Sequence, residues 1–404
     1  METELFINSI GSSADILKNG GLVGVPTETV YGLAANGLNE KAVEKLYEVK
    51  GRPAVKPISL MVPGAEAIEK YCSNVPAEAK LLADAFWPGP LTIVLEAKEA
   101  VPSIVRAGGR TVGLRCPDCE LTLKLLKEAA LPLAVPSANP SGEPSPKNAE
   151  KVMEYFSGRI KAVIDGGECT LGLESTIIDM SARPFRILRR GALSAEAIAD
   201  VLLKNIPVIG ITGQTGCGKS SALETLKDKG ALILDCDKVY HEMLNSDEAM
   251  INEIRENFPD AFEGAELNRK KLGSIVFNDP ELLNKLNSIT HRYIKTEVKR
   301  RLREFALAGG SIAAVDAIEL ISSGIADECS FTVAVLADRE KRIERIMQRD
   351  GISREYAEAR VNSQHGEEYF KEKCTRYIYN NSTVDDFRKR FIELTDEEIK
   401  HGRD

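Results

Sequence analysis

The eight residues Gly213-Gln214-Thr215-Gly216-Cys217-Gly218-Lys219-Ser220 constrain this chain more than any other segment. They match the pattern GxxxxGK[ST] in full, and they lie where the mechanism of that pattern needs them. The apolar run from Pro207 to Thr212 predicts a buried strand, and Lys219 to Lys229 predicts a helix. Glycines let backbone N–H groups turn inward around phosphate oxygens, and the helix N-terminus adds its positive dipole. Lys219 then reaches terminal phosphates, Ser220 is placed to ligate Mg2+, and Ser221 joins the set that holds the nucleotide. The next apolar run, Ala231 to Leu234, leads into Asp235-Cys236-Asp237-Lys238, which puts carboxylates beside the phosphates. Asp237 there either deprotonates an acceptor hydroxyl or serves as a cap or an outer partner of Mg2+. From Arg339 to Arg354 the pattern is a basic helix and turn with Arg342, Arg345 and Arg349 on one face. Such a face closes over a triphosphate or is simply solvated.

At 404 residues the chain exceeds what one core usually serves. The order of strand and helix signals changes once, around Leu202 to Pro207, giving expected domains at 1–204 and 205–404. The net charge of -8 argues against broad adhesion to nucleic acid, so any polyanion site must be local. Met1 to Ile10 lacks the basic start and apolar core of a signal peptide, and no apolar run approaches membrane-spanning length. A cytoplasmic protein away from membranes is expected. Cys116 and Cys119 form the one close cysteine pair, without a second pair or nearby histidine to complete a zinc site, so reduced thiols are expected. Cys217, at a helix N-terminus, is a candidate for a lowered thiol pKa and a redox brake.

In the first half, strand-like runs at Gly21 to Val25, Thr92 to Leu95, Val112 to Leu114, Ala162 to Ile164 and Thr176 to Ile178 alternate with helical patterns. This predicts an α/β domain. A helix from Glu40 to Val49 ends by delivering Lys50 and Arg52, two cations able to flank a triphosphate or simply to complement a helix dipole. Pro26 to Leu33 follows a strand, and Arg115 ends one, where a bidentate clamp on a small carboxylate would be anchored rigidly. Ser137 and Asn139 lie in the Pro-bounded loop 136–146, either as nucleotide-orienting groups or as ordinary turn residues. Glu174-Ser175-Thr176 precedes another strand, and Ile187-Leu188-Arg189-Arg190-Gly191 closes the half.

The ordered motifs PTETVYGL, KGRP, WPGPLTIVL, TVGLRCPD, PSANPSG, ESTIID and ILRRG resemble the threonylcarbamoyl-AMP synthase family over residues 5 to 200. The resemblance implies a twisted mixed-sheet α/β domain that joins L-threonine, bicarbonate and ATP for a tRNA modification. It implies that Thr27, Arg115 and Ser175 hold threonine and that Lys50, Arg52, Ser137, Asn139 and Arg189 hold ATP, Lys50 and Arg52 acting in catalysis. Mg2+ would bridge the phosphates, and tRNA or tRNA-modifying proteins stand as further partners. An RNA-binding role is the alternative reading of this half. Pro140 departs from the family's aliphatic residue.

Residues 207 to 395 resemble dephospho-CoA kinase through the glycine loop, Asp235 to Lys238, Asn268 to Phe277 with Asn278 to Pro280, Leu286 to His291, Arg349 to Ser353, Ala359-Arg360, Gln364 and Asn380 to Ser382. This implies a three-layer α/β/α domain with a parallel sheet and a helical lid. Asp237 would be the base on the ribose 3′-hydroxyl of dephospho-CoA, Lys219 would be catalytic, and Arg345 and Arg349 would belong to the lid over ATP. Two stretches depart from the family: Asp316 to Ser322 lacks its proline and terminal glutamate, and Thr375-Arg376 replaces an Ala-Asp-Tyr run. A nucleotide-binding module without kinase activity is therefore the alternative for this half.

Overall fold

The structure, a computed structural model, describes residues 3–6 and 9–401. Residues 1, 2, 7 and 8 of the Met1 to Ile10 segment lie outside the described residues. The chain divides into two compact units, one running to Leu202 and including Leu307–Gly309, the other holding the remainder.

In the first unit, a mixed sheet of eleven strands among the described residues runs through Ala162–Ile164, Val23–Val25, Gly32–Asn36, Leu133–Ala134, Leu60–Met61, Thr111–Arg115, Leu91–Ala97 and Thr176–Asp179. Leu91–Ala97 pairs antiparallel with Thr111–Arg115 and parallel with Thr176–Asp179, so Arg115 and Ser175 come to the same edge of the sheet on either side of the start of Leu91–Ala97. The helix Glu40–Lys50 starts at Asn39, whose side chain accepts the Ala42 N–H, and stops at Gly51, whose φ of 61° suits glycine. That stop throws Lys50 and Arg52 off the helix end. Gly32 is required on other grounds: a Cβ there would lie 2.2 Å from Val135 Cγ1, just after the strand Leu133–Ala134 on the way to Ser137.

The main sheet of the second unit has five strands, all parallel, in the order Leu232–Asp235, Ala313–Asp316, Val208–Thr212, Phe331–Leu336, Arg376–Tyr379, and Phe262–Glu263 pairs antiparallel with Glu266–Leu267 apart from it. Successive side chains feed two separate apolar clusters. Val208, Ala313 and Val315 join one, while Ile209, Ile211 and Ala314 join the other, the pattern of a sheet covered on both faces. The first strand starts at Val208, one residue inside the predicted span, because Pro207 has no N–H and offers the ladder only its carbonyl, to Ala313 N. Asp237 sits inside the first turn of the helix Cys236–Ser246, and Asp235 caps it by accepting the N–H groups of Asp237 and Lys238. The basic segment folds as two helices, Arg339–Asp350 and Arg354–Asn362, broken at Gly351. No described helix is long and apolar enough to cross a membrane, and all eight cysteines are free thiols.

Candidate active sites

In the second unit a cavity of about 580 Å³ opens at the carboxyl ends of the strands, where open parallel sheets place their ligands. Gln214 to Ser220 line it, with Asp237, Arg345 and Arg349. Gly213 and Ser221 do not line it. Gly213 turns the chain at φ 137°, where a Cβ would lie 2.2 Å from the Val335 carbonyl. Ser221 is in the helix behind, its N–H bonded to the Gly218 carbonyl. Lys219 Nζ rests on the Gly213 carbonyl at 3.2 Å, folded across the loop mouth.

Asp316 also lines this cavity, and it was absent from the site residues expected from sequence. It is brought there by register: parallel pairing sets Asp316 beside both Asp235 and Ile211. Burial pushes its carboxyl up to about 6, Lys219 pulling the other way, and its Oδ1 has no hydrogen-bond partner. Asp316 and the Ser220 hydroxyl are the donors suited to a hard cation, phosphate and water oxygens completing its shell. No cluster of three or more His, Cys, Asp or Glu among the described residues forms an all-protein metal cage.

Of the three arginines expected on one face, Arg345 and Arg349 line the cavity and Arg342 does not. Arg345 bonds the carbonyls of Gly216, Cys217 and Asn380, and Arg349 pairs with Asp350. Arg342 is turned into the protein behind the loop. Cys217 does not fit a redox brake: its thiol is buried and burial raises its pKa, so the thiolate is disfavoured.

In the first unit a cavity of about 200 Å³ is lined by Arg52, Arg115, Ser137, Ser175 and Arg189, with Thr29, Tyr31, Thr92 and Glu174. Arg189 donates from Nε to the Ser175 carbonyl, from Nη2 to Ser175 Oγ at 3.0 Å, and from Nη1 to Glu174. Ser175 Oγ also meets Thr92 Oγ1 at 2.9 Å, so this hydroxyl is fixed from two sides. Arg52 is held by the carbonyls of Lys56 and Pro57. Arg115 Nη2 lies 2.7 Å from Glu28 Oε1, outside hydrogen-bond alignment, and both side chains are almost fully buried. A buried charge pair of this kind holds a guanidinium at a strand end without solvent.

Thr27, Lys50 and Asn139 do not line this cavity. Thr27 Oγ1 donates to the Val30 carbonyl and accepts the N–H groups of Thr29 and Val30, closing the turn. The Lys50 ammonium reaches the carbonyls of Ser137 and Asn139 and Asn139 Oδ1, three acceptors for its three N–H donors. Asn139 Oδ1 in turn accepts from Ser137 Oγ. These three residues frame the loop that presents Ser137.

The family model described as Telomere recombination, Sua5_yciO_yrdC, matches residues 15–191, and the model described as Dephospho-CoA kinase matches residues 207–386. The Pyrococcus abyssi threonylcarbamoyl-AMP synthase is 47% identical over 190 residues, 47% of this chain and 56% of that protein. A Methanocaldococcus jannaschii protein provisionally given the same name is 38% identical over 181 residues, 45% of this chain and 84% of its own. The Lactobacillus johnsonii dephospho-CoA kinase is 29% identical over 191 residues, 47% of this chain and 96% of its own. The chain belongs to the threonylcarbamoyl-AMP synthase family in its first half. Its second half is similar to the dephospho-CoA kinases that it matches. The chain spans about half the length of the Pyrococcus synthase.

Within the synthase-family unit, Lys50 carries a pH dependence. Burial, then the nearby Arg52, lowers its pKa to about 8, Glu174 opposing. Below that pH the ammonium supplies all three donors; above it the amine has two for three acceptors, and the Ser137–Asn139 loop loses a tether. Amide hydrogen exchange at residues 137–139, corrected for its intrinsic pH dependence, should therefore show an upward inflection as pH passes about 8. Lys50→Arg, which stays charged, should lose that inflection. Parallel pH profiles in wild type and Lys50→Arg would remove Lys50 as its source.

Proposed function

We propose that the chain is a bifunctional enzyme, making threonylcarbamoyl-AMP and pyrophosphate from L-threonine, bicarbonate and ATP, and phosphorylating the ribose 3′-hydroxyl of dephospho-CoA with ATP. The functional boundary falls between residues 204 and 205, and both activities are cytoplasmic. The observation that carries the reading is convergence. In each unit, groups from separate strands and loops face one cavity, and their charges match the reactants named for the family.

In the synthase unit, Arg115 faces the threonine carboxylate and Ser175 its polar head, with Thr27 shaping the turn beneath. Arg52 and Arg189 face the phosphates, and Lys50 and Asn139 hold Ser137 towards them. Carbamate formation and attack on the α-phosphate need no enzyme nucleophile, so holding the reactants together and stabilising the leaving pyrophosphate supply the catalysis. In the kinase unit, Lys219 and Arg345 face the phosphates, with Arg349 beside them. Asp237 takes the acceptor proton. Ser220 and Asp316 would hold Mg2+, which when bound would supply charge neutralisation at the phosphates. Asp316 favours kinase over a bare nucleotide-binding module. A half-buried carboxylate with Oδ1 unpartnered is costly, and a phosphate-bound cation such as Mg2+ is what would offset it.

Two measurements on the full chain test the reading. Pyrophosphate release should require both threonine and bicarbonate and survive Lys219→Ala. ADP formation should require dephospho-CoA and be lost in Lys219→Ala. Pyrophosphate release indifferent to threonine would overturn the first assignment, and ADP formation unchanged in Lys219→Ala the second.

A further inference from the structure

Arg342 is a charged side chain the kinase reaction does not use directly. It is 4% exposed, and no ion pair to it occurs among the described residues. Its fork is spent on the glycine loop instead. Nε donates to the Thr215 carbonyl at 3.0 Å, Nη1 to Gln214 Oε1 at 2.8 Å, and Nη2 to Gln364 Oε1 at 3.2 Å. Gln364 closes the circuit by donating to Thr215 Oγ1 and accepting the Thr215 N–H, both at 2.8 Å. Gln214 continues it by donating to the His365 carbonyl at 2.7 Å. The backbone of the same helix turn presses on the loop: a Cβ on Gly216 would lie 2.7 Å from the Arg342 carbonyl.

We propose that Arg342 is a positioning residue that fixes the tip of the phosphate-binding loop and locks it to the Gln364–His365 segment, so that nucleotide affinity depends on a residue outside the cavity. Two features single it out from ordinary packing. Three donors on one planar group hold the Thr215 carbonyl and the side-chain oxygens of Gln214 and Gln364 together, which a lysine or an apolar chain cannot do. A buried cation facing oxygens alone also leaves positive potential behind the loop, felt by a polyphosphate in front of it. Burial lowers the guanidinium's pKa, as expected of a charge without a close carboxylate, Glu367 supplying a distant opposing pull.

The inference rests on nucleotide binding by this loop but not on the identity of the acceptor, so its test is direct titration of the full chain with a fluorescent ATP analogue. Arg342→Met should weaken binding at least about 10-fold while leaving the KM for dephospho-CoA within about two-fold. Arg342→Lys, which keeps the charge without the fork, should stay at least about three-fold weaker than wild type. Gln364→Leu removes the far end of the circuit and should weaken the analogue in the same direction, which keeps the test valid if Arg342→Met does not fold. Wild-type affinity in the folded Arg342 variants, or in Gln364→Leu, would overturn the inference. So would an equal rise in both substrates' KM, which marks general loss of structure. Failure of the kinase assignment would appear differently, as wild-type chain that binds the analogue and does not phosphorylate dephospho-CoA.

Discussion

Arg115→Ala is expected to cost the first unit about 3–5 kcal/mol of stability and to abolish threonine-dependent pyrophosphate release. Arg115 is 6% exposed and Glu28 8%, and neither Glu28 carboxylate oxygen has a hydrogen bond of its own. Removing the guanidinium strands a buried anion, which costs far more than a surface pair is worth. The chain's one tryptophan reports the loss selectively, because Trp87 belongs to the first unit, and its indole N–H is fixed on the Leu91 carbonyl. Urea unfolding followed by Trp87 fluorescence should move to lower concentration in Arg115→Ala. The double variant Glu28→Gln with Arg115→Met leaves no buried charge and should recover most of the stability, yet not the activity, since the threonine carboxylate has lost its clamp. An unfolding midpoint for Arg115→Ala equal to wild type would defeat the stability argument. Activity restored in the double variant would defeat the clamp.

The glycine loop was legible because its information is local: eight consecutive residues fix glycine conformations, a lysine and a hydroxyl between a strand and a helix. The Glu40–Lys50 helix was legible for the same reason, its periodicity and Gly51 stop marking where Lys50 and Arg52 leave it. Asp316 was not, because its place in the cavity depends on strands far apart in sequence pairing in parallel register. Its neighbours Ala317 to Ser322 read as a departure from a family pattern, which drew attention to the residues after the carboxylate rather than to the carboxylate. The place of Arg342 beneath the loop was not legible for a related reason. Spacing shows that Arg342, Arg345 and Arg349 share a stripe, but the stripe is wide, and only packing against Gly216 turns its first member under the loop. The split between Arg52, in the cavity, and Lys50, behind it, likewise follows from a one-residue left-handed turn at Gly51. Glu28 sat inside a quoted motif without a role, since nothing in PTETVYGL says that its side chain meets Arg115.

Asp316→Asn should make the second unit more stable and the kinase at least about 100-fold slower, the order that one lost electrostatic contact to a transition state is worth. The carboxyl's pKa rises from 3.8 unfolded to about 6 in the fold, so the folded state holds the proton more tightly. Stability from this group is therefore full below about pH 4 and is lost as pH climbs through 6, a fall of up to about 3 kcal/mol. Asparagine keeps the shape without the charge and avoids that fall, so at neutral pH the variant should unfold later by about 1–3 kcal/mol. Calorimetry of the full chain separates this from the other unit: the transition invisible in Trp87 fluorescence should move up in Asp316→Asn at pH 7 and coincide with wild type near pH 4. Added Mg2+ and ATP should raise that transition more in wild type than in the variant, because the cation has lost its anionic ligand. If Asp316→Asn lowered that transition at pH 7, the carboxylate would be a structural partner. If the variant kept wild-type kinase rates, catalysis in this unit would have to rest on Asp237 and Lys219 without it.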